Sequence, residues 1–282
     1  MSIQWYPGHM AKAKREVQEK IKLVDFVIEL VDARAPESSQ NPMLQQVLQQ
    51  KPKLIILMKK DLADENKTEH WMHYFHNQGH KAAAVDVNRK QDINHVIQQA
   101  REISQATVDK MVRKGIKPRA MRAMIVGIPN VGKSTLINRL ANKKIAKTGD
   151  KPGITQKQAW IKVKNEFDLL DTPGILWPKF EDEIVGYRLA AIGTIKDQLL
   201  SLQDIAAFAL QYIQVHYKGV LKTRYGTDAS TDDMVELFND IGRQRGALQS
   251  GGSIDFDKVA DIVLGDLRSG RLGRITLESP AE

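Results

Sequence analysis

Cysteine is absent from the 282-residue chain, which excludes disulfides, zinc-thiolate centres and thiol nucleophiles together and fits a reducing compartment. No stretch of about 18 apolar residues occurs. The start, MSIQWYPGHMAKAKREV, has no apolar core followed by a cleavage site, so a cytoplasmic protein without membrane contact is expected. Repeats of about 20 to 50 residues and low-complexity tracts are missing too, which argues against a solenoid or a disordered linker protein. What is present has ordinary globular proportions, 42% hydrophobic and 27% charged, in a length that suits two compact units.

Acid is scarce where base is plentiful. The 42 Lys and Arg exceed the 34 Asp and Glu, for a net charge of +8, and the excess is unevenly spread. Residues 179–282 hold 12 basic and 16 acidic side chains, so residues 1–178 hold 30 and 18, a net +12 against −4. Two runs dominate: Lys110 to Arg122 has six basic residues and no acid, and Arg139 to Lys164 has eight against Asp150. Two such runs flanking one site suggest a surface facing RNA, with a solvated face as the plainer reading.

Short apolar runs alternate with longer polar segments through the first 178 residues, the pattern of a mostly parallel sheet with crossover helices, an α/β fold. The candidate strands are Phe26 to Val31, Leu54 to Met58, Ala82 to Val87, Ala123 to Val126, Trp160 to Val163 and Phe167 to Leu170. Helices are expected over Asn41 to Gln50, Asp64 to Asn77, Ile93 to Lys114 and Leu136 to Asn142. Beyond Pro178 the segments Ile184 to Leu202, Asp204 to Tyr217, Asp232 to Arg243 and Asp255 to Leu267 keep helical spacing, so 179–282 reads as an all-helical domain after a 1–178 nucleotide domain.

The chemistry concentrates in Gly127-Ile-Pro-Asn130-Val131-Gly132-Lys133-Ser134-Thr135, a full G-x-x-x-x-G-K-S/T match between a strand and a helix. Its glycines let backbone N–H groups curl around phosphates, Lys133 reaches the outer phosphates, and the Ser134 hydroxyl suits Mg2+. Asp171-Thr-Pro-Gly174 follows at the end of another strand, placing a carboxylate for a magnesium-bound water and a glycine N–H for a terminal phosphate. Between them Thr155, in Pro152-Gly-Ile-Thr155, is the candidate hydroxyl that closes on the metal in the triphosphate state. A guanine reader, Asn/Thr-Lys-x-Asp after an apolar strand, is missing downstream of Gly174. Met58-Lys59-Lys60-Asp61 supplies Lys-x-Asp upstream instead, so the order of elements is permuted.

These residues resemble the circularly permuted P-loop GTPases, most closely the bacterial ribosome biogenesis GTPase A family. The resemblance rests on Trp5-Tyr-Pro-Gly-His9-Met-Ala-Lys12, Asp32-Ala-Arg34-Ala-Pro36, the loop from Gly127 to Asn138, and Asp171-Thr-Pro-Gly-Ile-Leu-Trp-Pro178. It implies GTP and GDP as ligands and action in late assembly of the large (50S) ribosomal subunit, with the precursor particle and its ribosomal RNA as partners and no role on DNA. The helical domain would then help contact ribosomal RNA. Met58 departs from the family, which usually has asparagine there, and leaves guanine selectivity to Lys59 and Asp61. The family's last base contact falls on the degenerate loop containing Asp86 and Val87.

A glutamine beyond Gly174, which many GTPases use to orient water, is also missing, since Ile175 and Leu176 stand there. The resemblance makes His9, in an N-terminal arm of about 20 residues, the candidate that positions water or touches RNA. Related GTPases with asparagine at the place of Asn130 often bind K+, which would supply the missing positive charge. His70, His73, His76 and His80 recur at helical spacing without a partner acid and read as a solvated helix face. Arg268, Arg271 and Arg274 are candidates for RNA phosphate. Two other readings stay open: a P-loop small-molecule kinase, and a nucleotide-gated RNA-binding regulator acting on another RNA.

Overall fold

The computed structural model describes residues 15–48, 51–145, 160–172, 174, 176, 180, 182–195, 200–227 and 233–280. Six strands form one sheet: β1 (Phe26–Asp32), β2 (Lys53–Met58), β3 (Lys81–Val85), β4 (Met121–Gly127), β5 (Trp160–Val163) and β6 (Phe167–Asp171). Their spatial order is β3-β2-β1-β4-β6-β5, parallel except for β5, which runs antiparallel to β6 at the edge. β1 and β2 are buried at every position, which explains their mostly apolar sequences, since a parallel strand with helices on both faces has no solvent side. Glu29 of β1 and Lys53 of β2 are buried as an ion pair at 3.4 Å.

In chain order, α1 (described over 15–20) and α2 (Pro42–Leu48) flank β1, α3 (Glu65–Asn77) and α4 (Lys90–Arg113) flank β3, and α5 (Lys133–Ala141) follows β4. α1, α2 and the short turn Ile21–Leu23 cover Val27, Met124 and Val126 on one face. α4 and α5 lie on the other face, where Ile97, Val96, Leu136 and Leu140 join Ile28, Ile125 and Leu169. α6 (Glu183–Ala191), α7 (Leu202–His216), α8 (Val220–Tyr225), α9 (Met234–Arg245) and α10 (Phe256–Arg268) form the helical part. Their apolar sides, including Leu189, Leu210, Ile241 and Leu264, belong to the same continuous core as the α4 and α5 face of the sheet.

Two sequence expectations need correction, and one short helix was missed. The helix expected over Ile184 to Leu202 breaks after Ala191, because Gly193 takes φ 74° and turns the chain. The strand expected over Ala82 to Val87 ends at Val85, since the Asp86 N–H turns to the Asp92 carboxylate at 2.8 Å and the Asp86 carboxylate caps the Asn88 N–H at 2.9 Å. α8, only six residues between two left-handed glycines, Gly219 and Gly226, is too short for its spacing to announce it. No helix among the described residues is long and apolar enough to cross a membrane.

Candidate functional site

Parallel pairing brings four strand ends to one edge of the sheet. Asp32 of β1 pairs with Met58 of β2, Leu30 with Gly127 of β4, and Ile125 with Asp171 of β6. Residues from opposite ends of the nucleotide domain thereby share the carboxyl edge, where open α/β sheets bind ligands.

The phosphate side is built from backbone. A Cβ on Gly127 would lie 3.1 Å from both Leu30 Cβ and Val131 Cγ1, so a side chain where the loop leaves β4 would crowd its neighbours. Asn130 and Gly132 then take left-handed conformations, φ 57° and 103°, and α5 begins at Lys133 with Ser134 and Thr135 in its first turn. This curl aims successive N–H groups and a helix N-terminus at one point. The Lys133 ammonium is ion-paired with the Asp171 carboxylate, which joins the phosphate lysine to the end of β6. Gly174 crosses close above: a Cβ there would be 3.2 Å from Pro129 Cα. Thr172, fully buried, anchors this crossing by donating its hydroxyl to the Ile125 carbonyl at 2.7 Å.

The base side is built from side chains. Lys59, at φ 60°, donates its ammonium to Asp32 at 2.9 Å and to the Asn130 carbonyl at 3.0 Å, spanning the gap between base reader and phosphate loop. Asp32 is fully buried and receives Arg34 through two bonds, at 2.9 and 2.8 Å. Burial alone would raise the Asp32 carboxyl, but the adjacent Arg34 guanidinium and Lys59 ammonium outweigh it and hold the group well below the usual carboxylate range. Asp61 is exposed at the rim. Lys60 pairs with Asp92 at 2.8 Å, and the Asp92 carboxylate also takes the Asp86 N–H, so one acid ties the Lys59–Leu62 and Asp86–Arg89 loops together. Lys60, Asp61 and Asp86 line one open cleft of about 480 Å³ with Arg89 and Arg274, while Val87 stays half-buried behind them.

Met58 is the departure with a visible physical result. It is 1% exposed, and a Cβ on Gly132 would come 3.1 Å from its methyl carbon. Met58, read with Lys59, Lys60 and Asp61 as part of the GTP-binding segment, instead packs its apolar side chain under the phosphate loop and presents no side-chain surface to a base.

Several functional neighbours escaped the sequence reading. The turn after α6 receives bonds from three directions: Arg34 to the Ile192 carbonyl at 2.9 Å, Asn130 Nδ2 to the Thr194 carbonyl at 3.4 Å, and Arg268 of α10 to the Ala190 carbonyl at 2.8 Å. Residues 274–278 also run back across the base side. Leu277 N–H bonds the Arg34 carbonyl at 2.7 Å, Ile275 N–H bonds the Leu62 carbonyl at 3.1 Å, and buried Glu278 accepts from Ser38 Oγ at 2.5 Å and Arg188 at 2.9 Å. Burial raises the Glu278 carboxyl despite these donors. The one legible signal was Asp32-x-Arg34 at the end of an apolar strand, where two opposite charges two residues apart can close on each other.

Other candidates resolve differently. His9 and Thr155 lie outside the described residues. His76 accepts the Ala82 N–H at 3.2 Å and His73 Nδ1 lies 3.0 Å from the Glu69 carbonyl, local roles that suit a helix flank. Among the described residues no group of three or more His, Asp or Glu could hold a metal. One hydroxyl, Ser134, and one carboxylate, Asp171, suit Mg2+, which keeps waters and takes further oxygens from phosphates. Arg268 bonds helix carbonyls, whereas Arg271, paired with Asp266, and Arg274, paired with Glu65, keep exposed side chains. The basic run Lys110 to Arg122 ends α4 and enters β4 at Met121, the opposite end of the strand from the phosphate loop. The first run therefore lies away from the phosphate loop, and residues 146–159 of the second fall outside the described residues.

Comparison with known proteins gives a consistent picture. Residues 122–237 match the family model described as "50S ribosome-binding GTPase". The chain is 55% identical over 282 residues to "Ribosome biogenesis GTPase A" of Bacillus cereus, covering 100% of this chain and 95% of that protein. It is 30% identical to the Thermotoga maritima protein of the same name, covering 99% and 95%. Two solved structures, GDP-bound TM YlqF and GNP-bound YlqF from T. maritima, superpose with TM-score 0.66 at 27% identity. The first covers 95% of this chain and 100% of its own, the second 96% and 99%.

Proposed function

The chain belongs to the ribosome biogenesis GTPase A family and is a GTPase, and from that premise we propose that it acts in the cytoplasm on late precursors of the large (50S) ribosomal subunit. GTP would be read by Lys59 and Asp61, with Lys60 and Asp86 bracing that side. Its phosphates would lie in the curl from Gly127 to Thr135, under Gly174. Ser134, Thr155 and Asp171 would hold Mg2+, which neutralises charge on the transferring phosphoryl group. The observation that carries this reading is the Lys59 ammonium on the Asn130 carbonyl, which puts base reader and phosphate loop within one nucleotide's reach although 71 residues separate them.

Catalysis lacks a glutamine after Gly174, so the intrinsic rate is expected to be low and raised by the particle. His9 would position the attacking water, and K+ beside Asn130 would add charge. Turnover in K+ and Na+ buffers, for wild type and His9→Ala, tests these two roles; equal rates throughout would remove both. Cosedimentation with large-subunit particles tests the main reading. Binding that requires a non-hydrolysable GTP analogue supports it, and absence of binding favours a regulator of another RNA.

A further inference from the structure

Among the described residues, no helix covers the β5 end of the sheet on one face. β5 alternates exposed and buried residues, with Ile161 and Val163 turned to the α4 and α5 core and Trp160 and Lys162 turned to the opposite side. On that opposite side α1 and α2 cover Val27, Met124 and Val126 in the middle of the sheet, but their cluster does not extend to β5. The register then sets Arg122, Asp168 and Lys162 in one cross-strand row over β4, β6 and β5, with Trp160 one step along the edge. Trp160 is 38% exposed, and the Arg122 guanidinium lies over its ring, 5.0 Å from the centroid. Just below, Arg119 is fixed by two bonds to Asp25 at 2.8 and 3.0 Å, and exposed Lys22 ends the turn before it.

We infer that this sheet edge is a stacking platform for an unpaired base of single-stranded RNA, with Trp160 as the platform and Arg122 and Lys162 as the flanking phosphate contacts. The inference rests on the ribosomal reading above for the presence of RNA, and names where that RNA is held. A protein partner would need a continuous apolar area, but here one aromatic ring stands among charged neighbours while Met124 and Leu170 beside it are buried. An isolated indole rimmed by cations suits a base, whose face is apolar and whose phosphate is anionic. Duplex RNA offers no free base face and fits the row poorly. Asp168, half-buried between Arg122 and Lys162, offsets one of the two positive charges and leaves the row net cationic. The platform lies on the sheet itself, so it is as rigid as the strands that also carry Asp171 and Gly127.

The test uses the full chain with GDP and a 12-nucleotide single-stranded RNA, compared with the same sequence as a duplex. Wild type should prefer the single strand and show quenching of tryptophan emission on binding. Trp160→Ala should weaken single-strand binding about tenfold or more, the size of one lost base stack, and Trp160→Phe should restore most of it while abolishing the quenching. Lys162→Glu should weaken binding and lower its salt dependence. GTP hydrolysis and melting temperature guard against misfolding, with Lys162→Glu as the variant least able to disturb β5. Equal binding by wild type, Trp160→Ala and Lys162→Glu, or equal affinity for the duplex, would overturn the inference. Loss of RNA binding in Trp160→Ala with no particle association in wild type would keep the platform and remove the ribosomal reading; the reverse pattern would do the opposite.

Discussion

The phosphate side and the base side of the site meet at one sheet edge but are held in different ways. On the phosphate side, shape comes from consecutive residues. Gly127, Asn130 and Gly132 bend the backbone, and one ion pair, Lys133 to Asp171, closes it. On the base side, Lys59 is held by a buried carboxylate, that carboxylate by Arg34, and the loop around them by residues 274–278. A local motif can bind by backbone alone, whereas a side-chain reader needs distant parts of the chain to fix its rotamers. The two sides therefore should fail differently when altered.

The largest contrast should come from Lys133→Ala. It removes a charged contact to phosphate, so GTP affinity should fall about 10- to 150-fold in equilibrium titration, with a smaller loss of stability than in the next variant. Arg34→Ala should do the reverse. It leaves Asp32 buried with Lys59 as its one charged partner, and chemical denaturation should show a loss of about 3–5 kcal/mol. Equal effects of both variants on binding and on stability would erase the distinction.

Acid should act on the base side through Asp32. Its folded carboxyl is depressed, so the stability it contributes is present above the ordinary aspartate value of about 3.9 and is lost as pH falls below it toward the folded value. Glu278 is shifted upward and works in the opposite sense, its contribution fading as pH rises through its folded value. Melting curves from about pH 3 to pH 6 should show the acid limb flattened in Asp32→Asn and retained in Glu278→Gln. The smallest change is expected for Met58→Asn, which exchanges packing under Gly132 for one amide hydrogen bond. GTP affinity should rise several-fold, by about 1 kcal/mol, if the amide reaches the loop; a fall would show that the methyl's support of Gly132 matters more.

The same contrast explains what could be read from the sequence. The strands, the phosphate loop and Asp171-Thr-Pro-Gly174 were legible because each is set by its own spacing, and the permuted order followed from finding Lys59-x-Asp61 upstream of Gly127. Arg34 reaching Ile192, Arg268 reaching Ala190 and Glu278 reaching Ser38 were not, because a long-range bond between common residue types leaves no local pattern. The place of the basic run from Lys110 to Arg122 was hidden for a related reason. Nearness in sequence to Gly127 suggested nearness to the site, but a strand lies between them and carries the two to opposite ends.

Glu278 is synthesised 241 residues after Glu37, whose N–H it accepts at 2.5 Å. At about 5–20 residues per second, the loop behind β1 emerges some 12 to 48 seconds before the carboxylate that completes it. In the last part of that interval, once residue 174 has emerged, every residue of the phosphate side is present, while Ser38 and the backbone around Arg34 still bond to water. The guanine end of the site is thus the last to mature during translation, and a chain cut short before residue 274 would carry a phosphate grip without a finished hold on the base.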